Sequence, residues 1–181
     1  MSMKISFELT DRDLRFFRKA LKLSREAVRD AEEPEIIEAI RDVLETIRQS
    51  EPLPDFVGER IPQLESLISM LTDEDWQLPE IDRERLLATF VYFADPEDIL
   101  PDDIPVIGYL DDVIIIELAV RELKHVREAY EDFCKFRDDF DRKQGKQVDP
   151  VIRRDRLDRR RQQLHQRMRR RSARQAKSKL W

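Results

Sequence analysis

Glycine is the residue whose scarcity most restricts this chain, because only three glycines occur among its 181 residues. Sheets need tight turns and barrels need kinks, and both features draw on glycine. Apolar residues recur instead at steps of three, four or seven along most of the chain, which is the spacing of one face of a helix. We therefore predict an all-α fold, a single helical domain of about five helices followed by a basic C-terminal helical arm.

Capping residues and apolar spacing give the approximate bounds of these helices. The predicted helices are Thr10–Ala31, a helix that opens at Pro34, a helix capped by Asp55, a short helix capped by Asp82, and a long helix from Val113 to about Lys143. Pro62 lies inside the third of them, where it should kink the helix or restart it.

Charge divides the chain into two predicted parts. Residues 151–181 hold 11 Arg and 2 Lys against 2 Asp, a net charge of +11, whereas residues 1–150 hold 21 basic and 37 acidic side chains, a net charge of −16. We predict an acidic helical domain over residues 1–144 and a basic arginine-rich helical arm over residues 145–181. Because few apolar residues lie in the arm, we expect the domain to fold without it.

The most distinctive segment of the acidic domain is DPEDILPDDIPVIGYLDD, residues 95–112. It holds seven acidic side chains, three prolines, one glycine and no basic residue. Each proline fixes φ and disfavours helix at the residue before it, and the glycine supplies a positive φ or a close backbone approach. A rigid connector between two helices is therefore predicted. Its structural residues are Pro96, Pro101, Pro105 and Gly108.

The carboxylates of this segment leave a second interpretation open. Asp111 and Asp112 precede the long helix, where they can accept from its free N–H groups and oppose its dipole. Carboxylate oxygens are also the ligands that Ca²⁺ and Mg²⁺ take, although the spacing is not that of an EF-hand. The alternative function is therefore a divalent-cation-dependent enzyme or sensor. Its candidate metal ligands are Asp98, Asp102, Asp111 and Asp112. No catalytic residue is assigned, and no cofactor is expected beyond this Mg²⁺ or Ca²⁺ ion.

The stretch PEDILPDDIPVIGYLDD resembles the signature of the YkvA-like proteins, a bacterial family of unknown function. That signature is approximately Pro-x-Asp-x-Ile-Pro-Asp-x-Ile-Pro-x-x-Gly-x-x-Asp-Asp. The matching residues are Pro96, Asp98, Pro101, Asp102, Ile104, Pro105, Gly108, Asp111 and Asp112. The resemblance extends over residues 86–137. It implies a bacterial domain with this connector, and it brings no established activity.

The arm is rich in arginine rather than lysine. Arginine offers phosphate a planar fork and stacks on bases, and arginine-rich segments fold on phosphate backbones. We therefore predict a non-enzymatic binding or scaffold protein whose arm engages nucleic acid or a ribonucleoprotein. The candidate nucleic-acid-binding residues are Arg153, Arg156, Arg159, Arg160, Arg161, Arg167, Arg169, Arg170, Arg171 and Arg174.

Two other anionic partners remain open for the arm. One is an acidic protein surface, either on its own domain or on a neighbouring copy. The other is an anionic membrane, which would make the protein a regulator at the inner membrane surface. That role needs a broad apolar face with aromatic residues, and Trp181 is the only aromatic residue of the arm.

The sequence gives no sign of a membrane span or of a secretory leader. Glu117, Arg121 and Glu122 interrupt the most apolar segment, VIIIELAV and the residues after it, and the N-terminus has no apolar run followed by a cleavage site. A soluble cytoplasmic protein is predicted.

Overall fold

The computed structural model of the chain describes residues 8–28, 31–49, 55–94, 110–144 and 148–178. Helices cover most of these ranges, and no strand occurs within them. The prediction of an all-α fold is therefore confirmed.

The described ranges contain seven longer helices and one single turn. In chain order they are α1 (Asp11–Ala27), α2 (Glu33–Gln49), α3 (Asp55–Gly58), α4 (Ile61–Thr72), α5 (Glu80–Ala94), α6 (Leu110–Glu122), α7 (Lys124–Gln144) and α8 (Pro150–Ser178).

Two breaks make the helices more numerous than predicted. The first separates the single turn α3 from α4 and leaves Pro62 in the first turn of α4, where its missing N–H leaves no hydrogen bond unmade. The second interrupts the predicted long helix at Leu123, between α6 and α7. The Leu123 N–H still donates to the carbonyl of Ala119 at 2.8 Å, and its own carbonyl accepts from Val126, so the chain continues helically on both sides.

Packing groups the chain into two compact units, which are described separately. Unit 1 consists of residues 1–58 and 87–116, and unit 2 consists of residues 59–86 and 117–181. The predicted division into a domain and an arm at residue 145 stays a prediction.

In unit 1, α2 provides an apolar stripe at helical spacing. Its four buried residues are Ile36, Ile40, Leu44 and Ile47. The parts of α5 and α6 that belong to this unit are also strongly buried. Their most buried apolar residues are Ala88, Phe90, Ile115 and Ile116.

Unit 2 is centred on Trp76, whose side chain is fully buried. Its ring centroid lies 5.6 Å from that of Tyr130, 5.3 Å from that of Phe133 and 4.5 Å from that of His165. The first two rings belong to α7 and the third belongs to α8. The indole therefore ties the connection after α4 to both long helices.

α7 packs against α4 on one side and α8 on the other. Asp149 caps α8 by accepting from the N–H of Val151 at 2.8 Å, with Pro150 at the first helical position, as the sequence predicts. Three residues of α8 at steps of seven and four are buried, with exposures of 1–3%. They are Leu157, Leu164 and Met168.

These burials bear on the expectation that the domain folds without the arm. A helix that places three apolar side chains in the core of unit 2 contributes to its stability. We now expect removal of α8 to destabilise the rest of unit 2.

Among the helices of the described ranges, none has both the length and the apolar content that crossing a membrane requires.

Candidate nucleic-acid interface

The arginines of α8 lie on two sides of the helix. One side, the inner face, packs on α7 in antiparallel order, because Arg153 pairs with Asp141 whereas Arg171 pairs with Glu128. The opposite side is exposed. We call it the outer face. It consists of Arg156, Arg159, Gln162, Gln163, Gln166, Arg169 and Arg170.

Arg153 binds two carboxylates at the start of α8. Its Nε and Nη2 donate to the two oxygens of Asp141, each at 2.9 Å, which is the bidentate geometry that strengthens such pairs. Its Nη1 donates to Asp75 at 3.2 Å. The hydrogen bond from Arg153 lowers the pKa of Asp141 below its ordinary value, so this carboxylate stays ionised at neutral pH.

Asp73, at the end of α4, connects the segment after α4 to α7. Arg137 Nη1 donates to its two oxygens at 2.9 and 2.8 Å, and the Tyr130 hydroxyl donates to Oδ2 at 3.0 Å. Its Oδ1 also accepts from the N–H of Trp76 at 3.1 Å, which fixes the turn that buries the indole. Burial raises the pKa of Tyr130, so its hydroxyl keeps its proton and remains a donor.

Arg161 is the most enclosed of the arginines that reach inward. Its side chain is only 13% exposed. Nη1 donates to the backbone carbonyl of Asp75 at 3.1 Å, and Nη2 pairs with Asp158 on the preceding turn at 3.0 Å. Because the carbonyl belongs to the connection after α4, Arg161 fastens the middle of α8 to that connection.

Arg167 and Arg171 form the next contacts between α8 and α7, toward the C-terminal end of α8. Arg167 donates to Asp132, and Arg171 donates to Glu128 at 2.9 Å. The hydrogen bond from Arg167 lowers the pKa of Asp132. Arg160 lies between the two faces and places its guanidinium 5.5 Å from the centroid of the Phe136 ring, at the distance of a cation–π contact.

The inner face therefore consists of arginines that are already engaged. We call their partners the acidic row. It consists of Asp75, Glu128, Asp132 and Asp141. These ion pairs neutralise carboxylates that would otherwise repel an anion approaching α8. The inner face of α8 thus pairs with carboxylates of the same chain, whereas the partner of the arm stays a prediction.

The outer face differs in having arginines that form no ion pair with another helix among the described residues. Arg159 pairs with Asp155 one turn earlier at 2.8 Å, an exposed pair worth little. Arg156, Arg169 and Arg170 are exposed, and none of the described side chains forms an ion pair with them. Exposed arginine is the residue that binds phosphate through two parallel N–H groups.

The ten candidate arginines thus separate into groups. Four of them reach the acidic row or its backbone: Arg153, Arg161, Arg167 and Arg171. Arg160 lies on Phe136. Four lie on the outer face: Arg156, Arg159, Arg169 and Arg170. The side chain of Arg174 lies outside the described part of the structure.

Sequence reasoning missed the three glutamines of the outer face. Arg159, Gln163, Gln166 and Arg170 follow one another at steps of four, three and four, which is the spacing of a single helix face. That spacing is present in the sequence, but the sequence-based prediction included only the arginines.

The acidic connector is described only at its end. Asp111 and Asp112 lie in the first turn of α6 and are buried, with 1% and 8% exposure. The Tyr92 hydroxyl lies 3.4 Å from Asp111 Oδ2 and donates to it. The other two candidate metal ligands, Asp98 and Asp102, lie outside the described residues.

The four structural residues of the connector also fall outside the described ranges. They are Pro96, Pro101, Pro105 and Gly108. In the part of the chain that the structure describes, no three His, Cys, Asp or Glu side chains converge as a metal site would require. The divalent-cation interpretation therefore stays a prediction.

One comparison with known families gives a match. Residues 85–118 match a family model described as a protein of unknown function, DUF1232. The match begins near the start of the segment on which the resemblance to the YkvA-like proteins rests. It supports a bacterial-type domain of unknown function. The YkvA-like assignment itself stays a prediction. The comparisons with curated proteins and with solved structures found no match to the chain.

Proposed function

We propose that the protein is a non-enzymatic binding protein that engages the phosphate backbone of nucleic acid, alone or within a ribonucleoprotein, through the outer face of α8. The observation that supports this most strongly is the set of exposed arginines, with Arg156, Arg169 and Arg170 unpaired among the described residues, on a helix whose opposite side is anchored. Phosphate contacts from such side chains supply most of the affinity of sequence-independent binding.

Anchoring of the inner face makes the outer face a better binding surface for nucleic acid. A free arginine-rich segment repels itself and must lose conformational entropy when it binds. In this protein, Arg153, Arg161 and Arg171 hold the helix in place before any partner arrives. The cost of ordering the helix is then met by folding, and the outer guanidinium groups are presented at fixed spacings.

The outer face has two arginine groups separated by glutamines. Arg159 and Arg169 are about 15 Å apart along the axis, at 1.5 Å per residue. The major groove of B-form DNA is about 12 Å wide, so the long side chains of the two groups can reach phosphates on both sides of one groove. Gln162, Gln163 and Gln166 lie between them and can donate to phosphate or to base edges.

The outer face does not suit a lipid surface. An interfacial helix needs a continuous apolar side with aromatic anchors. From Arg156 to Arg170 the exposed positions are arginine and glutamine, and the buried apolar residues Leu157, Leu164 and Met168 lie in the core of unit 2. Nucleic acid is therefore the better partner for this helix than a membrane.

A charge-matched pair of variants tests the proposal. The outer-face variant changes Arg156, Arg159, Arg169 and Arg170 to Gln. The control variant removes four exposed basic residues away from α8, by changing Arg41, Arg121, Lys135 and Lys143 to Gln. Both carry the same change in net charge, so only the position of the lost charges differs.

We expect the outer-face variant to bind mixed-sequence RNA or duplex DNA at low salt on the order of a hundredfold more weakly than the unchanged protein. The control variant should stay within a few-fold of it. Filter binding measures both. Equal losses in the two variants would reduce the effect to net charge, and absence of binding by the unchanged protein at low salt would remove the proposal.

A further inference from the structure

Helix α1 is amphipathic, yet none of its residues with a described side chain is buried. The contrast with α2 is direct, because both helices have 17 residues and α2 buries four isoleucine and leucine side chains. In α1 the apolar residues at helical spacing are only half covered. They are Leu14, Phe17, Ala20 and Leu21. An amphipathic surface helix ordinarily buries its apolar stripe, so α1 retains an apolar face that its own chain does not fully cover.

Two of its large apolar side chains are exposed. Phe16 and Leu23 each show 58% exposure. They are seven residues apart, which places them on the same side of the helix, two turns from one another. Single exposed apolar residues are common. Two large ones on the same side of a helix, next to a half-covered apolar stripe, form a patch of the kind that marks an interaction site.

Basic residues run alongside this patch in the same register. Arg12 and Lys19 are seven residues apart, as are Arg15 and Lys22, and all four are exposed. The stretch from Asp11 to Val28 holds six basic and three acidic residues. It is therefore locally positive although residues 1–150 carry a net charge of −16.

We propose that α1 docks on an anionic lipid surface, with Phe16 and Leu23 entering the boundary between headgroups and acyl chains. A helix with Phe and Leu on one side and Lys and Arg on the other lies flat in that boundary. The aliphatic stems of Lys19 and Lys22 cover apolar surface while their ammonium groups reach the lipid phosphates. Charge complementarity selects an anionic lipid over a neutral one.

This site is independent of the outer face of α8. It lies in unit 1, and it combines basic with exposed apolar side chains, whereas the outer face of α8 contains no apolar residue. The alternative occupant of the α1 patch is the same patch on a second copy of the chain. Two positively charged helices would repel one another in that arrangement, which is why the lipid surface is the better partner.

Vesicle cosedimentation tests the site with two kinds of vesicle, phosphatidylcholine alone and phosphatidylcholine mixed with phosphatidylglycerol. The apolar variant is Phe16→Ser with Leu23→Ser. Its matched control is Ile81→Ser with Val151→Ser, which changes two apolar residues that are 61% and 73% exposed elsewhere. The charge variant changes Arg12, Arg15, Lys19 and Lys22 to Gln, with the Arg41, Arg121, Lys135 and Lys143 variant as its control.

We expect the unchanged protein to partition onto the mixed vesicles at least about tenfold more strongly than onto phosphatidylcholine. The apolar variant should lose at least about tenfold of that partitioning, and each charge removed from α1 should cost about fivefold. Both controls, and the outer-face variant of α8, should keep it. Far-UV circular dichroism and melting confirm that each variant is folded.

Three results would overturn the lipid site. The unchanged protein could fail to bind the mixed vesicles. The apolar variant or the charge variant could bind as strongly as its control. Sedimentation could show a concentration-dependent dimer that the apolar variant disperses, without vesicle binding, and the patch would then be an interface between copies.

Discussion

Arg153 donates two parallel hydrogen bonds of 2.9 Å each to Asp141, and its third nitrogen donates to Asp75 at 3.2 Å. It thereby joins the first turns of α8 to the end of α7 and to the connection after α4. The pairs of Arg167 with Asp132 and of Arg171 with Glu128 repeat this attachment farther along the helix. The inner face of α8 is thus attached to unit 2, whereas the arginines of its outer face contact no other helix among the described residues.

The first prediction concerns this attachment. Arg153→Gln should lower the free energy of unfolding by about 1 kcal/mol, because a partly exposed but bidentate pair is worth more than an ordinary surface pair. Its neighbour Arg154 is exposed, so Arg154→Gln should change stability by less than about 0.5 kcal/mol. Urea denaturation measures both. Equal effects would mean that the Arg153 contacts add nothing to the docking of α8.

The second prediction concerns the apolar side of α8. Leu157 is 1% exposed, and Leu157→Ala should cost about 2–4 kcal/mol through lost burial and the cavity left behind. Ile152, five residues earlier, is 56% exposed, so Ile152→Ala should cost less than about 0.5 kcal/mol. A Leu157 variant as stable as the Ile152 variant in urea would show that α8 does not belong to the core.

The third prediction is that ending the chain at Gly145 weakens unit 2. The truncation removes His165, whose ring meets that of Trp76, together with the buried side chains of Leu157 and Leu164. We expect a lower melting temperature, a broader transition and, against a full chain that carries Trp181→Phe, greater quenching of Trp76 fluorescence by acrylamide. A truncated chain that melts as sharply and at the same temperature would restore the sequence-based expectation of an independent domain.

The fourth prediction concerns His165. Burial, followed by repulsion from Arg161 and Arg169, lowers its pKa to about 4. In the unfolded chain a histidine has a pKa of about 6.5, so between these values only the unfolded state binds the proton. Stability should therefore fall as the pH falls from about 6.5 to about 4, by on the order of 1–2 kcal/mol after allowance for solvent screening.

His165→Phe should flatten that slope, because it keeps a ring against Trp76 and removes the titrating group. The buried Nε2 of His165 has no hydrogen-bond partner among the described residues, so the change removes no hydrogen bond of that atom to them. His125→Gln reports what the other histidine contributes. Urea denaturation across this pH range provides the measurement, and a slope that persists in His165→Phe would assign it to other groups.

The carboxyl groups of Asp132 and Asp141 titrate in a lower range. Hydrogen bonds from their arginines lower the pKa values of Asp132 and Asp141. Their contribution is fully present above the pKa of an unfolded carboxyl, about 3.9, and is lost as the pH falls through the lower folded values. The histidine window and the carboxylate window are therefore separable along one pH series.

The sequence predicted those parts of the fold that depend on local pattern. The stripe of α2 and the restart of the chain at Pro62 follow from apolar spacing and from proline geometry. The break at Leu123 was not predictable in this way, because the apolar spacing from Val113 to Phe140 continues across it without a glycine or a proline.

The candidate site could be predicted only in composition. An arginine-rich helix was evident, but the partners of Arg153 and Arg161 include Asp75, which lies 78 and 86 residues away in the chain. Spacing within α8 distinguishes the face of Leu157, Leu164 and Met168 from the opposite face. The residues of the outer face were therefore predictable from the sequence. Which arginines are neutralised depends on the packing of α7 and α8, and no local pattern reports that.

The dependence of nucleic-acid binding on salt tests the central claim most directly, since each phosphate contact releases counterions and adds about −0.9 to the slope of log K against log salt on duplex DNA. The unchanged protein should show a slope of about −4. Changing Arg156, Arg159, Arg169 and Arg170 to Gln should reduce its magnitude by about 3.6, whereas the charge-matched control at Arg41, Arg121, Lys135 and Lys143 should leave the slope as it was. An unaltered slope in the outer-face variant would contradict the claim that the outer face of α8 contacts the phosphates.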